Sequence, residues 1–174
     1  MAKRKIRFNP FDPRSIEAAV QEVNKLHDKI LKCSTETLNE LARLGAEIAG
    51  NTVFEMDAID TGELLASIYF VNASPEERVS KVVADSPHAG YVEYGTGIVG
   101  AGLAKGGSEH PNADADGWAY DVNNHGADGW WYFDKVRGRR RWTMGMPARP
   151  FMYSTRFELE RQAPKITGKI FRSL

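Results

Sequence analysis

The first third of the chain carries an apolar repeat that only a long helix can satisfy. Ile16, Val20, Val23, Leu26, Ile30, Cys33, Leu38, Leu41, Leu44 and Ile48 recur at helical spacing. The gap between Cys33 and Leu38 looks like a break. At 100° per residue, however, all of these positions fall within an arc of about 140°, so one helix keeps them on one face. Asp12-Pro13 is a good start, a capping carboxylate followed by a residue that suits the first helical position, and Gly50-Asn51 is the natural stop. A helix over 13–49 would be about 55 Å long. A compact globule of this length is only about 40 Å across. Either the chain turns near Ser34-Thr35 and forms two helices, or the helix runs past its domain and buries its stripe against another subunit. The second alternative predicts an oligomer.

The rest of the chain reads as shorter elements. Asp60 is placed to cap a short helix through Leu65, with Glu63 reaching back as in a capping box. Residues 67–71 and 79–84 are rich in β-formers and flank a turn, which predicts a hairpin. Ser86-Pro87 opens a helix of about two turns that Gly95 closes. Residues 98–129 hold many Gly, Ala, Asn and Asp and few large apolar side chains, so they read as a long polar loop with no packed element. Gly129 to Val136 and Arg141 to Met146 are β-prone around the turn Arg137-Gly138-Arg139-Arg140, which predicts a second hairpin. From Pro150 onward, Phe151, Met152, Thr155, Leu159, Ala163, Ile166 and Ile170 define an amphipathic helix, with Pro164 placed to kink it. The expected fold is α+β: one antiparallel sheet of about four strands, packed with a long N-terminal helix and a C-terminal helix. Residues 1–12 read as a basic, solvated tail and 13–174 as a single domain.

Charge and composition narrow the function. Lys plus Arg and Asp plus Glu both number 23, so the chain carries no bulk charge for wrapping nucleic acid. The single Cys33 excludes an internal disulfide and fits a reducing compartment. No apolar run approaches the ~20 residues of a membrane span, and the basic N-terminus lacks the apolar core of a secretory signal. His110, His125, Asp114, Asp116, Asp121 and Asp128 match no metal-ligand spacing, so they read as a solvated loop and no cofactor is expected. Asp60-Thr61-Gly62 matches the aspartic-protease signature, but the residues before it lack the apolar run that packs around such a dyad. No nucleophile motif, phosphate loop or paired metal-binding histidines are found, which points to a structural protein rather than an enzyme.

Three stretches, in order, carry a resemblance. They are Asp60-Thr61-Gly62-Glu63-Leu64-Leu65-Ala66-Ser67-Ile68, then Tyr91-Val92-Glu93-Tyr94-Gly95-Thr96, then Arg149-Pro150-Phe151-Met152 before the last helix. Together they resemble the neck or tail-completion proteins of long-tailed bacteriophages and prophages. The 98–129 loop is longer and more polar than that family's pattern. The resemblance implies a virion component at the head–tail junction, assembled in the bacterial host cytoplasm. It implies a ring, a hexamer to match tail symmetry, between the connector and the tail tube or tail-terminator proteins, with DNA passing through the lumen. By the same resemblance Asp60, Thr61, Gly62, Leu64, Ser67, Tyr91, Glu93, Gly95, Thr96, Arg149, Pro150 and Phe151 hold the fold or the assembly. A buried Glu93–Arg149 ion pair is one expectation.

The second hairpin leaves two readings. Trp130, Trp131 and Trp142 with Arg139 and Arg140 suit a protein–protein hot spot. They also suit a platform for single-stranded nucleic acid. The zero net charge favours the protein interface, while the tip arginines remain able to line a DNA channel.

Overall fold

The computed structural model describes residues 5–58, 61–74, 76–121, 124–125 and 128–173. One uninterrupted helix, α1 (Pro13–Glu55), dominates it. Asp12 caps its start as expected, its carboxylate accepting from Arg14 N at 3.1 Å. The chain does not turn at Ser34-Thr35. The Ser34 and Thr35 hydroxyls donate to the carbonyls of Ile30 and Leu31, one turn back, so these residues bond within the helix instead of ending it. Nor does Gly50 stop α1. Val53, beyond it, is fully buried, and that burial holds the last turn in helical form against the weak propensity of Gly50.

Four short elements follow: α2 (Glu63–Ala66), β1 (Ile68–Val71), β2 (Lys81–Ala84) and α3 (Ala89–Tyr94). Next come α4 (Gly97–Gly100), α5 (Ala113–Asp116), β3 (Trp130–Asp134) and β4 (Arg139–Thr143). The chain ends in α6 (Phe151–Ile170) and a last 3-10 turn, Phe171–Ser173. α6 passes through Pro164 without ending.

The fold is mixed helix and sheet with long first and last helices, but the single four-stranded sheet is not formed. Two separate antiparallel hairpins stand in its place. In the first, Ile68 pairs with Ala84 and Val71 with Lys81; in the second, Trp130 pairs with Thr143 and Asp134 with Arg139. The first hairpin is tied to α1: Ala73 N donates to Asn39 Oδ1 at 2.7 Å and the Ser80 hydroxyl to the Leu38 carbonyl at 2.7 Å. The second is held elsewhere. Its outgoing strand bends at Gly145, whose φ is 104°, and Met146 then bridges to Thr96 instead of to β1 or β2.

The core lies where α1, α6, α2 and α3 converge. Ala49, Val53, Leu64 and Phe151 are buried there, with Met56, Ile68, Ala84, Val92 and Met152 packed around them. α6 runs back along α1: Phe151 sits with Val53, and Leu159 lies against Gly45 further up α1. A side chain at Gly45 would meet Val82 Cγ2 at 2.7 Å and Leu159 Cδ1 at 2.9 Å, so this glycine sets how closely hairpin, α1 and α6 approach. α6 has 20 residues and α1 has 43, so the N-terminal half of α1 extends beyond it. Along that half Ile16, Val20, Val23 and Ile30 are exposed, as are Phe8 and Phe11 just before it. Ile6 and Phe8 turn back onto the helix and, with Ile16, Ala19, Val20 and Val23, line an open apolar groove of about 360 Å³.

The long loop is more ordered than its composition suggests. Two single helical turns, α4 and α5, lie in it, and Gly97, Gly100, His110 and Ala113 are buried.

Candidate functional site, a junction of two helix ends

α3 delivers Glu93 to the middle of the molecule, where it is buried. Its carboxylate faces the start of α6. Oε2 accepts from Met152 N and Oε1 from Tyr153 N, both at 2.9 Å. The first amides of a helix have no partner within it and carry partial positive charge, so a buried carboxylate there is matched both in hydrogen bonds and in field. His110, 3 % exposed, is the third partner, with Nε2 3.2 Å from Glu93 Oε1. His110 Nδ1 accepts from Asn112 N at 3.1 Å. That bond places the imidazole proton on Nε2, which donates to Glu93.

Arg149 does not pair with Glu93, contrary to expectation. Its Nε donates to the Met56 carbonyl at 3.0 Å, at the C-terminal end of α1. Its backbone N donates to the Val92 carbonyl at 2.8 Å. Each charged residue thus meets a helix end of opposite partial charge: Glu93 the N-terminus of α6, Arg149 the C-terminus of α1. Pro150 leads the chain into α6, and Phe151 enters the core directly behind it.

Gly95 and Thr96 fix the other side of the junction. Gly95 has φ 78°, and a side chain on it would lie 2.7 Å from both Ala148 N and the Met146 carbonyl oxygen. Only glycine permits that backbone approach. Thr96 N donates to the Met146 carbonyl at 2.9 Å, and Met146 N donates back to the Thr96 hydroxyl at 3.1 Å. Trp118 Nε1 donates to the Gly95 carbonyl at 3.1 Å. Rings then stack outward: Tyr94 lies flat on Trp118 at 4.8 Å and tilted over His110 at 4.3 Å, and Tyr91 meets the edge of Trp118. Burial, then the bond to Asp116 at 2.7 Å, pushes the Tyr94 phenol up to about 12.

The upstream stretch contributes a turn and one core residue. Leu64 joins the core. Thr61 Oγ1 accepts from Glu63 N at 3.4 Å, Gly62 takes φ 81° to open α2, and the Ser67 hydroxyl closes it on the Leu64 carbonyl at 2.7 Å. Asp60 lies outside the described residues.

Leu64, Glu93, Arg149 and Phe151, from three distant stretches, therefore meet at one junction, with Gly95, Thr96 and Pro150 at its rim. The aromatic hairpin stands apart. Trp130 stacks on His125 at 4.6 Å, while Trp131, Trp142, Arg139 and Arg140 are exposed. The residues that sequence reasoning missed are His110, which it placed in a solvated loop, and Trp118. The one signal pointing to Trp118 is a large ring inside an otherwise polar segment.

Both His110 nitrogens and both Glu93 oxygens are already engaged, so the pair is arranged to hold three chain segments together. A cleft of about 120 Å³ beside it, lined by Tyr91, Thr96, Tyr120, His125 and Trp130 among others, is smaller than the ~300–1,000 Å³ of small-molecule sites. Among the described residues no three of His, Cys, Asp and Glu gather as a metal-holding group. None of the family models, curated proteins and solved structures compared with the chain matches it.

Proposed function

We propose that this chain is a structural component of a tailed bacteriophage or prophage virion. In this reading it is a neck or tail-completion protein, assembling as a ring, a hexamer by tail symmetry, between connector and tail tube. The head–tail placement rests on the resemblance carried by the three motifs. The assembly rests on one observation: α1 carries an exposed apolar stripe, Ile16, Val20, Val23 and Ile30, well past the end of α6. Full burial of such a side chain is worth about 1.5–3 kcal/mol, of which roughly half remains to be gained at 40–52 % exposure, and large contiguous exposed patches mark interaction surfaces. The balance across the chain points the same way. Among the described residues eight apolar side chains are buried, and twenty-two large ones are exposed. A closed ring needs two different complementary patches on each subunit. The outer face of the first hairpin, where Tyr69 and Val71 are exposed, supplies a second one for a neighbour's α1.

Light scattering after size exclusion, over a concentration series, tests this. The expected result is a species near six times the chain mass of 19.4 kDa. A 19.4 kDa monomer at every concentration overturns self-assembly and leaves the α1 stripe to a different partner.

A further inference from the structure

The β3–β4 hairpin takes no part in the junction, and its two faces differ. Trp131 lies opposite Trp142 and Phe133 opposite Arg140, so these four side chains share one face. That face is open: Trp131 is 63 % exposed, Phe133 59 % and Trp142 48 %. Trp131 meets Trp142 edge to face at 5.5 Å, which fixes the two indoles against each other. Trp131 and Phe133 are two strand positions apart, about 6.7 Å, leaving room for a flat group beside each ring.

The charge on the hairpin is one-sided. Between Trp130 and Thr143 stand Lys135, Arg137, Arg139, Arg140 and Arg141 against one acid, Asp134. Asp134 is buried, accepting from Arg137 at 3.0 Å and Arg141 at 3.4 Å. The hairpin therefore shows solvent cations and aromatic rings but no carboxylate, in a chain whose net charge is zero. A protein partner fits this poorly. Trp and Arg are enriched in protein interfaces too, but each side of a standard interface buries about 800 Å², more than a bare two-stranded ribbon presents. A polyanion with flat, unpaired bases fits both features.

We propose that the exposed face of the β3–β4 hairpin binds single-stranded nucleic acid, with Trp131, Phe133 and Trp142 stacking on bases and Arg140 contacting phosphate. Paired bases are already stacked on one another, so duplex forgoes the aromatic stacking and keeps only the charge interactions. The proposal does not depend on the ring.

The experiment is fluorescence anisotropy of a labelled oligothymidylate of about 16 nucleotides with the full chain, across a salt series from about 50 to 200 mM. Saturable binding that weakens with salt is expected. Arg140→Ala should lower the log–log salt slope by about 0.7, for the one phosphate no longer neutralised. Trp131→Ala and Trp142→Ala should each weaken binding about 5- to 150-fold without changing that slope. Absence of binding at about 50 mM salt overturns the proposal. So does equal affinity for blunt duplex with the Trp variants silent, which would reduce the site to bare charge. Variants that dissociate an oligomer while leaving oligothymidylate affinity intact would assign the face to a protein contact and overturn it as well.

Discussion

Glu93 and Arg149 stand out in the sequence as charges inside apolar motifs, and the natural inference is that they neutralise each other. The structure uses a different complement, the ends of two helices. Backbone amides and carbonyls carry no letter in the sequence, so pairing opposite charges along the chain cannot find them. His110 is hidden for a related reason: its segment is polar, and only the arrival of Glu93 and Tyr153 around it makes it a buried residue. A substitution separates the two accounts of Glu93. Glu93→Gln keeps the shape but replaces one carboxylate oxygen with an NH2 group. Whichever way the amide turns, that NH2 faces a donor at the start of α6: Met152 N–H in one orientation, or Tyr153 N–H together with His110 Nε2–H in the other. Loss of a charge-assisted bond together with an unsatisfied donor costs about 2–3 kcal/mol. For a chain of this size that lowers the melting midpoint by roughly 4–12 °C. A melt followed by circular dichroism checks it, and an unchanged midpoint would show that the carboxylate does not hold α6.

At the scale of elements, the sequence reveals α1 and α6 by their helical period and the two hairpins by runs of β-formers, but β4 begins at Arg139, inside the turn expected at 137–140. The sequence does not reveal that α1 runs on without a break or which strands share a sheet. Ser34, Thr35 and Gly50 are breakers by propensity alone, yet the hydroxyls fold back on the helix and Gly50 is carried by the burial of Val53 beyond it. Likewise, hairpin formation is local, but whether two hairpins join depends on packing that alternation does not encode. The two glycines in α1 give a contrasting pair. In Gly45→Ala the new methyl meets Val82 and Leu159 below 3.0 Å, between two packed elements. Overpacking at about 1–3 kcal/mol outweighs the ~1 kcal/mol gained in helix propensity, so this variant should lose up to about 2 kcal/mol in urea unfolding. In Gly50→Ala the methyl meets only the tip of Leu65 at 3.3 Å, and Leu65 is exposed and able to move. There propensity wins, and up to about 1 kcal/mol of added stability is expected. The same sign for both substitutions would mean that Gly45 is not where the three elements close on one another.

For the whole molecule, the sequence poses a choice between a bent helix and one that outruns its domain, and the fold resolves it by length: α6 ends while α1 continues. What covers the remaining stripe is then a question of linkage. Val20 and Val23 are each 52 % exposed in the single chain. Replacing both with Glu leaves the core intact and gives up only the open groove they share with Ile6 and Phe8, while Glu is the better helix former, so the monomer's stability should stay within about 1 kcal/mol. If a neighbour buries the stripe, the same change places two carboxylates in an apolar interface at every subunit boundary. Assembly stabilises the folded state by mass action, so the melting midpoint of the unaltered chain should climb with concentration. The midpoint of Val20→Glu/Val23→Glu should not. The two should coincide at the lowest concentration and diverge as it rises, in step with the disappearance of the large species in light scattering. Midpoints that rise together would place the interface elsewhere on the surface, and midpoints that differ at every concentration would mean that the stripe packs within its own chain.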